Sequence, residues 1–227
     1  RSAQQVPVVW HGPYPDGVAR LGLLLAEGLE AAHGVGVMHR DIKPSNVLLA
    51  WSGRPMLLDF KLSTEIGWQN QRVAGTLAYM APEQMEAMAT SQGRTEHPFD
   101  PRSDIFSLGA LLYELLTGRL PAKPPNAEQL APGDAAPWLA ARQQGVAAPR
   151  QIDPRIDPGL EAIVLRCLLN DPLGRFASAG ELAAALRTYL GWGPSRLRQL
   201  RRRRREVLLA ALSATAVAIG GAIYVSR

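Results

Sequence analysis

HRDIKPSNVLL, residues 39–49, with LLDF at 57–60, is the densest stretch of the chain, and the remainder is best read outward from it. Asp41, Lys43 and Asn46 stand within six residues, ahead of an apolar run, and Asp59 sits near the end of the next one. Asn46 to Ala50 and Met56 to Phe60 read as two short strands, because each is apolar and a turn-rich Trp51, Ser52, Gly53, Arg54, Pro55 lies between them. A carboxylate and an ammonium thereby precede one strand, an amide opens it, and a second carboxylate stands near the end of its partner.

The flanks are helical. Upstream, Val18, Leu21, Leu25, Leu29 and Ala32 fall on one face at spacings of three and four; Asp16 is the expected N-cap and Gly34 the stop. Val35 to Met38 is a short apolar run. Downstream, Ser103 to Thr117 is apolar nearly all round, which predicts a helix buried on every side, ended by Gly118. Between Leu120 and Pro158 the composition predicts loops around one short helix near Trp138, and no chemistry is read there. Gly159 to Leu169 and Ala179 to Leu190 are predicted to close the domain, the second behind a capping box of Ser178 and Glu181. No internal repeat is found.

These motifs, in this order, resemble the C-terminal lobe of eukaryotic-like (Hanks-type) serine/threonine protein kinases. The resemblance covers roughly residues 10 to 190 and rests on five motifs over about 140 residues. It implies Asp41 as acceptor of the substrate hydroxyl proton, Lys43 as the cation beside the γ-phosphate of ATP, and Asn46 and Asp59 as Mg²⁺ ligands. Lys43, two residues after Asp41, is what the serine/threonine members carry. GTLAYMAPEQ, residues 75–84, looks like the end of an activation segment, with Thr76 contacting Asp41 and Lys43 and Glu83 pairing with Arg175. The resemblance also makes Asp104 a partner of catalytic-loop backbone N–H groups and His39 a structural residue. Taken singly, these are a loop aspartate, a solvated lysine and a capping acid; together they carry the assignment.

Three departures matter. Only 16 residues precede the first predicted helix, whereas a lobe of about five strands and a helix needs roughly 70. No glycine-rich phosphate loop, strand lysine or partner glutamate is therefore found, and this chain alone is expected to bind ATP poorly. Arg1 is no initiator methionine, so a fragment is expected. Lys61 follows Asp59 and Phe60 where the family usually has glycine, which motivates the alternative of a pseudokinase or scaffold module without turnover. Finally, Arg40 is the residue that gathers a phosphorylated loop threonine in many kinases, yet Glu65 to Gly75 holds no Ser or Thr. The loop is expected to be ordered without phosphorylation, or through Ser63 or Thr64.

Charge and hydropathy divide the rest. Eight of the 25 Lys and Arg and one of the 20 Asp and Glu lie beyond residue 195, leaving 17 against 19 before it, so the basic character belongs to a tail. Val207 to Val225 is 19 residues without a charge, about 28 Å as a helix, and directly follows Arg201 to Arg205 and Glu206. It is predicted to be a single transmembrane helix with the arginines, and hence the kinase-like domain, on the cytoplasmic side. The arginines then meet lipid headgroups, and no nucleic acid is expected as partner. Trp192 is either an interfacial anchor or packed on the domain, and Ala216 with Gly220 allows helix pairing into a homodimer. Cys167, the single cysteine, excludes an internal disulfide and suits a reducing compartment. His11, His33 and His97 lack metal-ligand spacing and read as surface or packing residues.

The expected architecture is mainly α (α+β): a partial kinase-like lobe over 1–190, a basic juxtamembrane linker over 191–206 and a transmembrane helix over 207–225. The expected ligands are ATP and Mg²⁺, with protein Ser/Thr as substrate.

Overall fold

A computed structural model describes residues 12–60, 74–90, 100–124, 126, 130 and 134–191. The chain divides into two compact units, Arg1–Leu186 and Arg187–Arg227, and of the second only the end of one helix and the turn at Gly191 are described. Lys61, Ser63, Thr64, Trp192, the arginine run and the span at 207–225 lie outside the described residues. Among those that are described, no helix is long and apolar enough to cross a membrane.

In chain order the elements are α1 (Tyr14–His33), a 3-10 turn (Pro44–Asn46), β1 (Val47–Leu49), β2 (Pro55–Leu57), α2 (Ala74–Leu77), α3 (Pro82–Thr90), α4 (Arg102–Thr117), α5 (Ala136–Gln143), α6 (Pro149–Ile152), α7 (Pro158–Cys167), a second 3-10 turn (Pro172–Gly174) and α8 (Ala179–Tyr189). The strands pair antiparallel, with Leu48 opposite Met56. Both are shorter than the apolar runs that predict them, because Ala50 already takes part in the turn, accepting from the Gly53 N–H.

α4 is the spine. Ile105, Phe106, Leu108, Leu111 and Leu112 are each at most 2% exposed, and the helix ends where Gly118 turns left-handed at φ +68°. α1 and α7 flank it at distances that only glycines permit: a Cβ at Gly22 would stand 2.9 Å from Leu112, and one at Gly109 would stand 2.4 Å from the Cβ of Cys167. Cys167 is thus sealed between α4 and α7, and burial pushes its thiol up to about 12. Its role is packing.

One helix start differs from expectation, and a second, which begins where expected, gains a partner the sequence does not announce. α1 begins at Tyr14 behind Pro13 and has no side-chain cap; Asp16 lies inside the first turn, where its charge favours the helix dipole and faces Arg20 at 4.0 Å. Proline at the second helical position already supplies the helical φ, which moves the start upstream. At α8 the Ser178 Oγ accepts the Glu181 N–H (3.2 Å), while the Glu181 carboxylate reaches the Ala177 N–H (2.7 Å). The Gly180 N–H goes instead to Glu30 of α1 at 2.6 Å, so a distant side chain completes the cap.

Candidate active site

The loop at 39–43 owes its shape to one buried carboxylate. Asp104, in the first turn of α4 and 2% exposed, accepts the backbone N–H of Arg40 at Oδ1 (2.7 Å) and that of His39 at Oδ2 (2.8 Å). For two successive N–H groups to face one carboxylate the chain must curl, and Arg40 sits at φ +65°, a left-handed conformation that side-chained residues rarely adopt. Charge-assisted hydrogen bonds hold it there. His33, at the end of α1, also donates Nε2–H to Oδ2 at 2.8 Å. It is therefore no idle packing histidine but a third support for Asp104, from a residue 71 positions away.

His39 secures the next residue. Its Nε2–H donates to the Leu58 carbonyl (2.8 Å), which leaves Nδ1 to accept the Asp41 N–H (3.3 Å). The neutral ring with its proton on Nε2 satisfies both bonds, and the Phe60 ring lies against it at 4.6 Å. The loop at 39–43 and the segment leading into Asp59 are thereby tied through one imidazole.

Around Asp41 the expected residues converge. The Lys43 ammonium donates to Asp41 Oδ2 (3.1 Å) and to Thr76 Oγ1 (2.9 Å), leaving one of its three N–H groups for an anionic ligand. Asn46 donates its amide N–H groups to the Asp41 carbonyl (2.7 Å) and Oδ2 (3.3 Å), so among the described residues its Oδ1 accepts no hydrogen bond. The Asn46 carbonyl accepts the Leu58 N–H (2.9 Å), which brings Asp59, the next residue, to the end of the strand pair. Asp59 is exposed and, like Arg40, held at positive φ (+60°). An amide oxygen and an exposed carboxylate are hard oxygen donors of the kind Mg²⁺ takes alongside substrate phosphates, so Asn46 and Asp59 fit that ion.

Beyond Thr76 the segment is pinned residue by residue. Glu83 is clamped by both Nη atoms of Arg175 (2.7 and 2.8 Å) and accepts from Ser103 Oγ (2.7 Å). Burial would raise the Glu83 carboxyl, but Arg175 and Ser103 outweigh it and hold the group below the usual carboxylate range. Arg175, fully buried, spends its remaining N–H groups on the carbonyls of Leu169, Arg102 and Asn170. Tyr79 donates its hydroxyl to Glu114 of α4; burial, then that carboxylate, pushes the phenol well above its ordinary value.

α5, in the stretch where no chemistry is read from sequence, contributes Arg142. This side chain is 1% exposed and donates from Nη2 to the carbonyls of Leu77 (2.7 Å) and Ala78 (2.9 Å). Burial lowers its pKa to about 10. Nothing local marks it: an arginine between alanine and glutamine on a short helix reads as solvated. His33 and Glu114 escape notice likewise, since what singles them out is a partner far away in the chain.

Comparison with known proteins follows the same span. The model for the protein kinase domain matches residues 16–185. A probable serine/threonine-protein kinase of Streptomyces coelicolor is 34% identical over 188 residues, covering 79% of this chain and 25% of its own. Serine/threonine-protein kinase A of Synechocystis is 35% identical over 175 residues (70% and 31%), and serine/threonine-protein kinase PknJ of Mycobacterium tuberculosis is 35% identical over 186 residues (75% and 29%). The chain thus spans about a quarter to a third of the length of these relatives.

Proposed function

The chain belongs to the protein kinase domain family, on its serine/threonine side, and on that premise we propose that the protein carrying it transfers the γ-phosphoryl group of MgATP to serine or threonine hydroxyls of protein acceptors. The observation that supports this most is the Lys43 ammonium bridging Asp41 and Thr76 at 3.1 and 2.9 Å. A hydroxyl approaching the Asp41 carboxylate meets a proton acceptor, while the adjacent ammonium neutralises charge on the group being transferred. Mg²⁺, when bound, supplies further positive charge to the phosphates. Asp104 and His39 do no chemistry; they fix the backbone on which Asp41 stands, so that little reorganisation is left for the reacting complex.

The same reading includes a membrane anchor at Val207 to Val225, supported by its 19 uncharged residues behind five arginines, with the catalytic unit in the cytoplasm. Carbonate extraction of membranes tests the anchor: release of the protein into the supernatant would refute it.

For the activity, the decisive comparison is phosphoryl transfer from labelled ATP by the protein at its full natural length, wild type beside Asp41→Asn. Label on Ser or Thr that disappears in the variant supports the enzyme. No label from a folded wild type favours the pseudokinase alternative, for which Lys61 is the motive.

A further inference from the structure

Arg142 is costly in a way the fold does not repay. Its guanidinium is buried, yet among the described residues Nε and Nη1 have no hydrogen-bond partner, and Glu83, the acid whose charge it feels, is already engaged by Arg175. A buried cation with unmet donors is expensive, and an apolar side chain of similar size would fill the same volume against Phe106, whose ring centroid lies 5.1 Å from Cζ, at lower cost. What only the arginine supplies, besides a cation over the Phe106 ring, is an Nη2 that donates to two successive carbonyls, Leu77 and Ala78.

Those carbonyls lie at a telling place. Thr76, the residue before them, holds the Lys43 that contacts Asp41, and Tyr79, the residue after, is held by Glu114. A segment of four residues is thus fixed at every position, and Arg142 is the only contact in the set that comes from α5. Leu77 directly follows Thr76, which through Lys43 reaches Asp41, the group an acceptor hydroxyl meets, so the backbone that Arg142 grips bears on where that meeting takes place.

We propose that Arg142 is a positioning residue for the protein acceptor, setting the Leu77–Ala78 backbone from α5 and thereby the line along which the acceptor chain meets Asp41. The inference rests on the kinase reading above. It predicts a division of effects: the acceptor's path depends on Arg142, whereas the Mg²⁺ and ATP side, built from Asn46 and Asp59, which touch no residue of this segment, does not.

The test uses the full-length protein as wild type, Arg142→Met and Arg142→Lys, with KM for an acceptor peptide, KM for ATP and kcat measured together with amide hydrogen exchange. Losing a charged donor from two carbonyls is expected to raise the acceptor KM about tenfold, with the ATP KM within about twofold. Exchange at the Tyr79 and Met80 amides, which donate to the Thr76 and Leu77 carbonyls, should quicken while α4 stays protected. Lysine, which can still reach one carbonyl, should recover part of both effects. An unchanged acceptor KM, or acceptor and ATP constants rising in step, overturns the proposal and leaves Arg142 a packing residue. Should Arg142→Met fail to fold, the same split is read on Arg142→Lys. Should the wild type transfer no phosphate, the kinase reading fails, and the exchange measurement alone decides whether Arg142 positions this segment: unaltered protection at Tyr79 and Met80 refutes it.

Discussion

Asp104→Asn is the most informative single substitution, because it keeps the shape of the side chain and changes what the loop at 39–41 can bond. The carboxylate accepts three hydrogen bonds, from the backbone of His39 and of Arg40 and from the His33 ring. An amide offers one oxygen. With its nitrogen at the Oδ1 position it faces the Arg40 N–H, donor against donor; turned the other way it faces both His39 and His33. The less costly orientation forfeits one charge-assisted bond and orphans one part-buried N–H, a loss of about 2–4 kcal/mol. That is a large part of the roughly 5–15 kcal/mol that holds a domain together. Arg40 is then free to leave φ +65°, carrying Asp41 with it. Urea titration should show a lower midpoint with an unchanged slope, and the difference should persist at high salt, since Asp104 is only 2% exposed. In the transfer assay, a displacement of Asp41 by about 1 Å is expected to cost on the order of a hundredfold in kcat. A variant as stable as wild type within about 0.5 kcal/mol, with kcat within about threefold, would show that the carboxylate does not shape this loop.

Other consequences can be measured separately. Because Glu83 is held below the usual carboxylate range, its ion pair with Arg175 stabilises fully above the unfolded value of about 4.3 and less as pH falls through the folded one. Glu83→Gln should therefore cost about 3 kcal/mol at pH 7, the low end for a buried pair given the 28% exposure of the Glu83 side chain, and should flatten the acid limb of the stability profile; an unaltered limb would remove Glu83 from the account. Gly109→Ala drives a methyl into the Cys167 Cβ at 2.4 Å and should destabilise by about 1–3 kcal/mol, read as a lower thermal midpoint. Cys167, with its thiol pushed up to about 12 and no exposed surface, should resist a thiol reagent at pH 8 until the domain is unfolded; stoichiometric labelling of the native protein would contradict the packing described.

Much of this architecture is legible locally. The all-round apolar character of α4, the stop at Gly118 and the hairpin around Gly53 follow from side-chain periodicity and turn chemistry, which act over a few residues. The start of α1 moved because proline rather than Asp16 opens it, and at α8, which begins where expected, Glu30, a neighbour in space, adds to the cap. The residues named for phosphoryl chemistry were found because Asp41, Lys43 and Asn46 stand close together in the chain and in an ordered pattern with Asp59 and Thr76.

By itself, then, the sequence determined the helical class, the short strand pair, and the residues from Asp41 to Arg175 that the fold brings into contact. Only the tertiary structure decided what holds them: that His33 supports Asp104, that Arg40 and Asp59 stand at positive φ, and that Arg142 grips Leu77 and Ala78. The division has a physical cause. Helix and turn preferences depend on sequence neighbours, whereas the worth of a buried donor depends on which acceptor the fold brings to it, and those acceptors lie 64 to 71 residues away.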